Sequence, residues 1–117
     1  MAYALLIVEP AGQRFSRSEA EGRALYERML RFSEDLKSRG LLTMSQSLKT
    51  DTQGARVQVQ GKRSTVVDGP FAEAKEMIGG FFILTCDTRN QAIAIAGECP
   101  AAQWATVEVR ELGPCFA

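Results

Sequence analysis

The stretch Asp68-Gly69-Pro70-Phe71-Ala72-Glu73-Ala74-Lys75-Glu76, followed by Met77-Ile78-Gly79-Gly80 and the apolar run Phe81-Phe82-Ile83-Leu84, has an order that composition does not explain. Gly69 can take backbone angles closed to other residues, and Pro70, with φ fixed, suits the first position of a helical turn. Asp68 then stands where a side chain caps, its carboxylate accepting from the N–H of Phe71 or Ala72. A short turn carrying Glu73, Lys75 and Glu76 follows, and the glycine pair releases the chain into a strand from Phe81 to Cys86. That strand is apolar on both alternating sets, the pattern of a sheet centre covered on both sides.

Upstream of Asp68, Ala55, Val57 and Val59 alternate with Arg56, Gln58 and Gln60. After Gly61-Lys62-Arg63 a second run, Ser64 to Val67, returns, which predicts a hairpin with one wet face. Leu41 to Leu48 alternates loosely and reads as a strand. Ser18-Glu19-Ala20-Glu21 has the form of a capping box opening a helix over 19–39. Within it Leu25, Met29, Phe32 and Leu36 form one stripe, and Arg39-Gly40 supplies the closing cation and glycine. Tyr3 to Val8 is the first strand, apolar on both faces.

Downstream, Thr88-Arg89-Asn90-Gln91 repeats the capping logic. Ala92, Ile93, Ala96 and Cys99 are expected on the inner face of a second helix that Pro100 ends. Trp104 to Arg110 is the last strand, with Ala105, Val107 and Val109 toward one layer and Thr106, Glu108 and Arg110 toward the other. Without the hairpin, the order is the βαββαβ plan of a ferredoxin-like α+β domain. Two helices cover only one face of such a sheet, yet the strands are apolar on both. The sequence therefore predicts a homodimer that buries sheet against sheet; the alternative is a monomer whose hairpin folds over the open face.

At 117 residues the chain is expected to be a single domain spanning 1–117. Fourteen basic and fourteen acidic side chains cancel, which argues against nucleic acid and anionic membrane as partners. The apolar start, Met1 to Val8, has no basic residues before it and is broken by Glu9-Pro10, so it reads as a strand rather than a signal peptide. No run approaches the roughly 20 apolar residues of a membrane helix. Cys86, Cys99 and Cys115 are odd in number and form no C-x-x-C pair, which suits reduced thiols in the cytoplasm.

The central stretch resembles the signature of the DGPF-motif proteins, a branch of the YciI-related (YCII) family, and Val107-Glu108-Val109-Arg110 resembles that family's last strand. The resemblance implies a ferredoxin-like fold paired into a dimeric α/β barrel. It also implies a neighbourhood with extracytoplasmic-function sigma factors, beside which many members are encoded, and an activity that is generally unassigned. The wider family presents a histidine and an aspartate as an acid–base pair. This chain has no histidine, so the pair is not carried over.

Four residues remain as site candidates. Asp68 is either a catalytic base or a turn cap, and capping would lower its pKa and weaken it as a base. Glu108 and Arg110, two apart on one strand face, either pair with each other or offer an anionic ligand a guanidinium fork. Glu76 either borders a cleft or lies on a solvated turn. No carboxylate spacing marks a metal site, no cofactor motif is present, and the glycines form no phosphate loop. Two functions follow. One is a small-molecule binding or regulatory accessory protein; the other is a cofactorless enzyme acting on a small organic acid or ketone through carboxylates and Arg110.

Overall fold

The computed structural model describes residues 2–116. Its elements run β1 (Ala2–Pro10), α1 (Glu19–Ser38), β2 (Leu42–Ser47), β3 (Ala55–Gln60), β4 (Arg63–Asp68), β5 (Glu76–Thr85), α2 (Arg89–Glu98) and β6 (Thr106–Glu111). Four strands form an antiparallel sheet in the order β2-β5-β1-β6, while β3 and β4 pair only with each other. With the β3-β4 pair set aside, this is the strand order of a ferredoxin-like α+β fold.

The first helix is fixed at both ends by the residues its sequence announces. Ser18 Oγ accepts from the Glu21 N–H and the Glu21 carboxylate accepts from the Ser18 N–H, each at 3.1 Å. That second bond stabilises the charged carboxyl and holds its pKa below the usual carboxylate range. At the other end Gly40, with φ of 71°, sends its N–H to Lys37, and Leu41 sends its N–H to Leu36. This double closure satisfies carbonyls that a helix end otherwise leaves free. It also seats Leu41 against the core.

Both helices lie on one face of the sheet. Tyr3, Leu5 and Ile7 of β1 and Phe82 and Leu84 of β5 meet Phe32 and Leu36 of α1 and Ala92, Ile95 and Ala96 of α2. The Phe32 and Phe82 rings pack edge to face at 5.4 Å. Ile95, not Ile93, faces inward: Ile93 is 42% exposed and Ile95 2%. A helix of 3.6 residues per turn groups Ala92, Ile95, Ala96 and Cys99 on one side, and position 93 falls off it.

Further expectations are corrected. The central strand starts at Glu76 rather than Phe81, because β1 runs on to Pro10 and keeps pairing across the glycines. Opposite Ile7 and Val8 the partners are Gly80 and Ile78, so Gly79 is a bulge inside the strand and the glycine pair does not end a loop. Asp68 is not the cap of the central turn. It is the last residue of β4, paired with Ala55, and the Phe71 N–H donates to Asp51 at 3.3 Å instead. The turn Asp51–Gln53 lies so close to Gly69 that any Cβ there would strike the Asp51 carbonyl oxygen. Gly69 serves by having no side chain, not by a special φ.

Finally, the β3-β4 hairpin has two wet faces. Every residue in both strands is exposed, Val57, Val59, Val66 and Val67 included. It stands off the sheet, giving a Cα radius of gyration of 16.0 Å where a compact chain of this length has about 13 Å.

Candidate functional site

The alternation that places Tyr3, Leu5 and Ile7 toward the helices puts Glu9 on the same side, and the acid is 3% exposed. A buried carboxylate needs a partner, and the chain supplies one five residues later. Gly12, with φ of 85°, turns β1 into a single 3₁₀ turn over Gln13–Ser16, which carries Arg14 back under α1. The Arg14 guanidinium touches Glu9 Oε1 as an ion pair. It also donates to the carbonyls of Leu48 at 2.7 Å and Gly79 at 3.1 Å. The ion-pair contact is off the N–H direction, so Glu9 Oε1 is held by charge without a formal hydrogen bond. One guanidinium thus ties together the ends of β1, β2 and the β5 bulge.

Glycine makes room for this clamp. A Cβ on Gly79 would strike Glu9 Oε1 and Arg14 Nη2, and one on Gly80 would come within 2.9 Å of the Gln46 carbonyl oxygen. Above the clamp, between α1 and the sheet, lies a cleft of about 350 Å³. Leu25, Met29 and Phe82 form apolar wall, Ser45 and Ser47 edge it from β2, and Trp104 and Arg17 close one side. Ser33 and Ser45 hydroxyls meet at 3.1 Å across the cleft. The volume is at the small end of ligand pockets, and an apolar wall with a few fixed polar groups is their usual make-up.

A second hollow, about 620 Å³ but shallower, lies at the root of the hairpin between Val8, Leu48, Phe71, Glu76 and Ile78. Glu76 borders this hollow and is itself exposed. Glu108 and Arg110 do pair, at 3.2 Å, with side chains 46% and 67% exposed. They sit opposite Leu6 and Ala4 of β1, on the face that no helix covers. Asp68 is exposed at the hairpin's end. None of the four lines the cleft under α1.

The cleft residues Glu9, Arg14 and Arg17 escaped the sequence reading. A signal existed: Glu9 continues the inward register of Tyr3, Leu5 and Ile7, where a charge is out of place without a task or a partner. Reading Glu9-Pro10 only as the end of a strand hid it. Cys86 and Cys99 are buried, and burial pushes both thiols above the usual cysteine range, which disfavours the thiolate. Cys115 is free and exposed. Among the described residues no helix is long and apolar enough to cross a membrane.

Sheet order, a single helical layer and a partly open cleft between α1 and the sheet define a small ferredoxin-like protein with a ligand-sized hollow on its helix side. The chain belongs to the YCII-related domain family, whose model matches residues 1–115. No curated protein is significantly similar to it.

Proposed function

We propose that this protein is a cytoplasmic, homodimeric small-molecule binding protein of the DGPF branch, acting as a regulatory accessory, with its ligand site in the cleft under α1. The observation that carries the reading is the Glu9–Arg14 clamp. A charged pair is built into the floor of a largely apolar cleft, and Gly79, having no side chain, leaves it room. Burying charge costs stability that apolar residues of similar volume would not, so a purely structural floor has little use for it. The dimer is supported by the open face, where Leu6, Val8, Phe81 and Ile83 are only partly covered and Met44 and Ile78 are exposed. The link to a sigma-factor system rests on the resemblance of the Asp68–Glu76 stretch to the DGPF signature.

The cofactorless-enzyme reading changes its residues rather than its class. Arg110 and Glu108 lie outside the cleft, and Glu9 is the carboxylate at its floor, engaged there by Arg14. Native mass spectrometry of the gently purified protein tests the binding reading, with Ser45→Phe as the variant that fills the cleft. The expected result is a dimer carrying a reproducible extra mass that Ser45→Phe loses while remaining dimeric. Retention of the same mass by that variant would sink the assignment of the cleft.

A further inference from the structure

Three ionised side chains line the cleft: Glu9, Arg14 and Arg17. Glu9 and Arg14 neutralise each other, and Arg14 is further committed to two backbone carbonyls. Arg17 is different. It is half-buried and forms no ion pair among the described residues, and the Glu21 carboxylate, which feels its charge, is exposed and held by the Ser18 N–H. Its guanidinium carbon lies 6.0 Å from the centre of the Trp104 ring, which it shares with Arg28 at 5.2 Å. Arg28 is anchored by donating to Gln103 at 3.1 Å. The indole face attracts the guanidinium by its charge, and among the described residues the Arg17 side-chain N–H groups make no hydrogen bond, which leaves them for a carboxylate fork. Two cations on one indole also repel each other, and an anion beside them relieves that repulsion. Arg17 directly precedes the N-cap Ser18, so the positive end of the α1 dipole adds to the same potential.

We infer that the ligand of the cleft is a small organic monoanion with an apolar body, its carboxylate held by Arg17 beside Trp104. This rests on the reading of the cleft as the ligand site. The net charge of the lining, two guanidiniums against one carboxylate, matches a single negative charge. Leu25, Met29 and Phe82 supply the surface for the apolar body. Glu9 and Arg14 cancel at the floor, so the uncompensated positive charge is that of Arg17, and the anionic end stays there while the apolar end points inward. Arg17 is thus the specificity-determining residue, and Arg14 a positioning residue that keeps Glu9 in place.

The test compares phenylacetate with 2-phenylethanol, which keeps the ring and chain but carries no charge. Each is titrated into ¹⁵N-labelled protein at fixed ionic strength, following the amides of Leu25, Met29 and Phe82. Both probes are expected to shift these amides, with phenylacetate bound about tenfold more tightly or better, the worth of one charged hydrogen-bonded pair. Arg17→Gln should bring phenylacetate down to the level of the alcohol and leave the alcohol unchanged; Arg28→Gln should keep most of the preference. Equal binding of the two probes in the cleft, or a preference that survives Arg17→Gln, overturns the inference and leaves the cleft reading standing. If neither probe shifts these amides at millimolar concentration, the cleft reading itself falls, and the inference with it.

Discussion

On the helix side of the sheet Leu5 and Leu84 are sealed completely, while their neighbours one residue along, Leu6 and Ile83, keep part of their surface in solvent on the other side. The two faces are made of the same kinds of residue. What separates them is cover: α1 and α2 both pack on one side, and the hairpin, which might have closed the other, stands apart with both its faces exposed. The sealed face carries one interruption, the Glu9–Arg14 floor, and a charge inside a core is costly enough to mark a site. The open face carries its charges, Glu108 and Arg110, in solvent, where an ion pair is worth little. The same chemistry therefore means different things on the two sides, and burial decides which.

The largest expected effect tests the sealed face. Leu84→Ala removes a side chain with no exposure and should cost about 4 kcal/mol, read from the urea midpoint at unchanged slope. A loss near 1 kcal/mol would mean that this face is no better packed than the other. Next comes Glu9→Ala, which leaves Arg14 beneath α1 without its counter-charge. It should cost up to about 3 kcal/mol, because removing one member of a buried pair strands the other, and Arg14 is partly hydrated.

How far the sequence carried can be judged from these elements. Both ends of α1 were legible, because Ser18, Glu21 and Gly40 act through local geometry that depends only on neighbours in the chain. The sheet plan followed from strand periodicity. The site did not, because Glu9, Arg14 and Gly79 meet only through the pairing of β1 with β5 and the bulge at Gly79. The cap of the central turn was misplaced for the same reason. Asp51, which receives the Phe71 N–H, is 20 residues away in sequence, whereas Asp68 is near in sequence and absent from the bond. Local signals announced local structure; contacts made across the fold stayed silent.

Two smaller effects sharpen the open face. Phe81→Asp should turn a dimer into a monomer in sedimentation velocity at micromolar concentration while shifting protomer stability by no more than about 1 kcal/mol, since the position is only half-buried. A variant that stays dimeric would move the interface elsewhere, with the exposed valines of β3 and β4 the next surface to mutate. Smallest of all, Glu108→Ala should change stability by less than about 0.5 kcal/mol by thermal denaturation. A larger loss would show the pair to be desolvated in the dimer.

The division of labour between the faces is tested most directly by a crystal structure of the protein grown with phenylacetate. The account predicts ligand density between Arg17 and Phe82 under α1, with a twofold partner covering Leu6, Phe81 and Ile83. Density beside Glu108 and Arg110 instead, or an open face left bare to solvent, would contradict it.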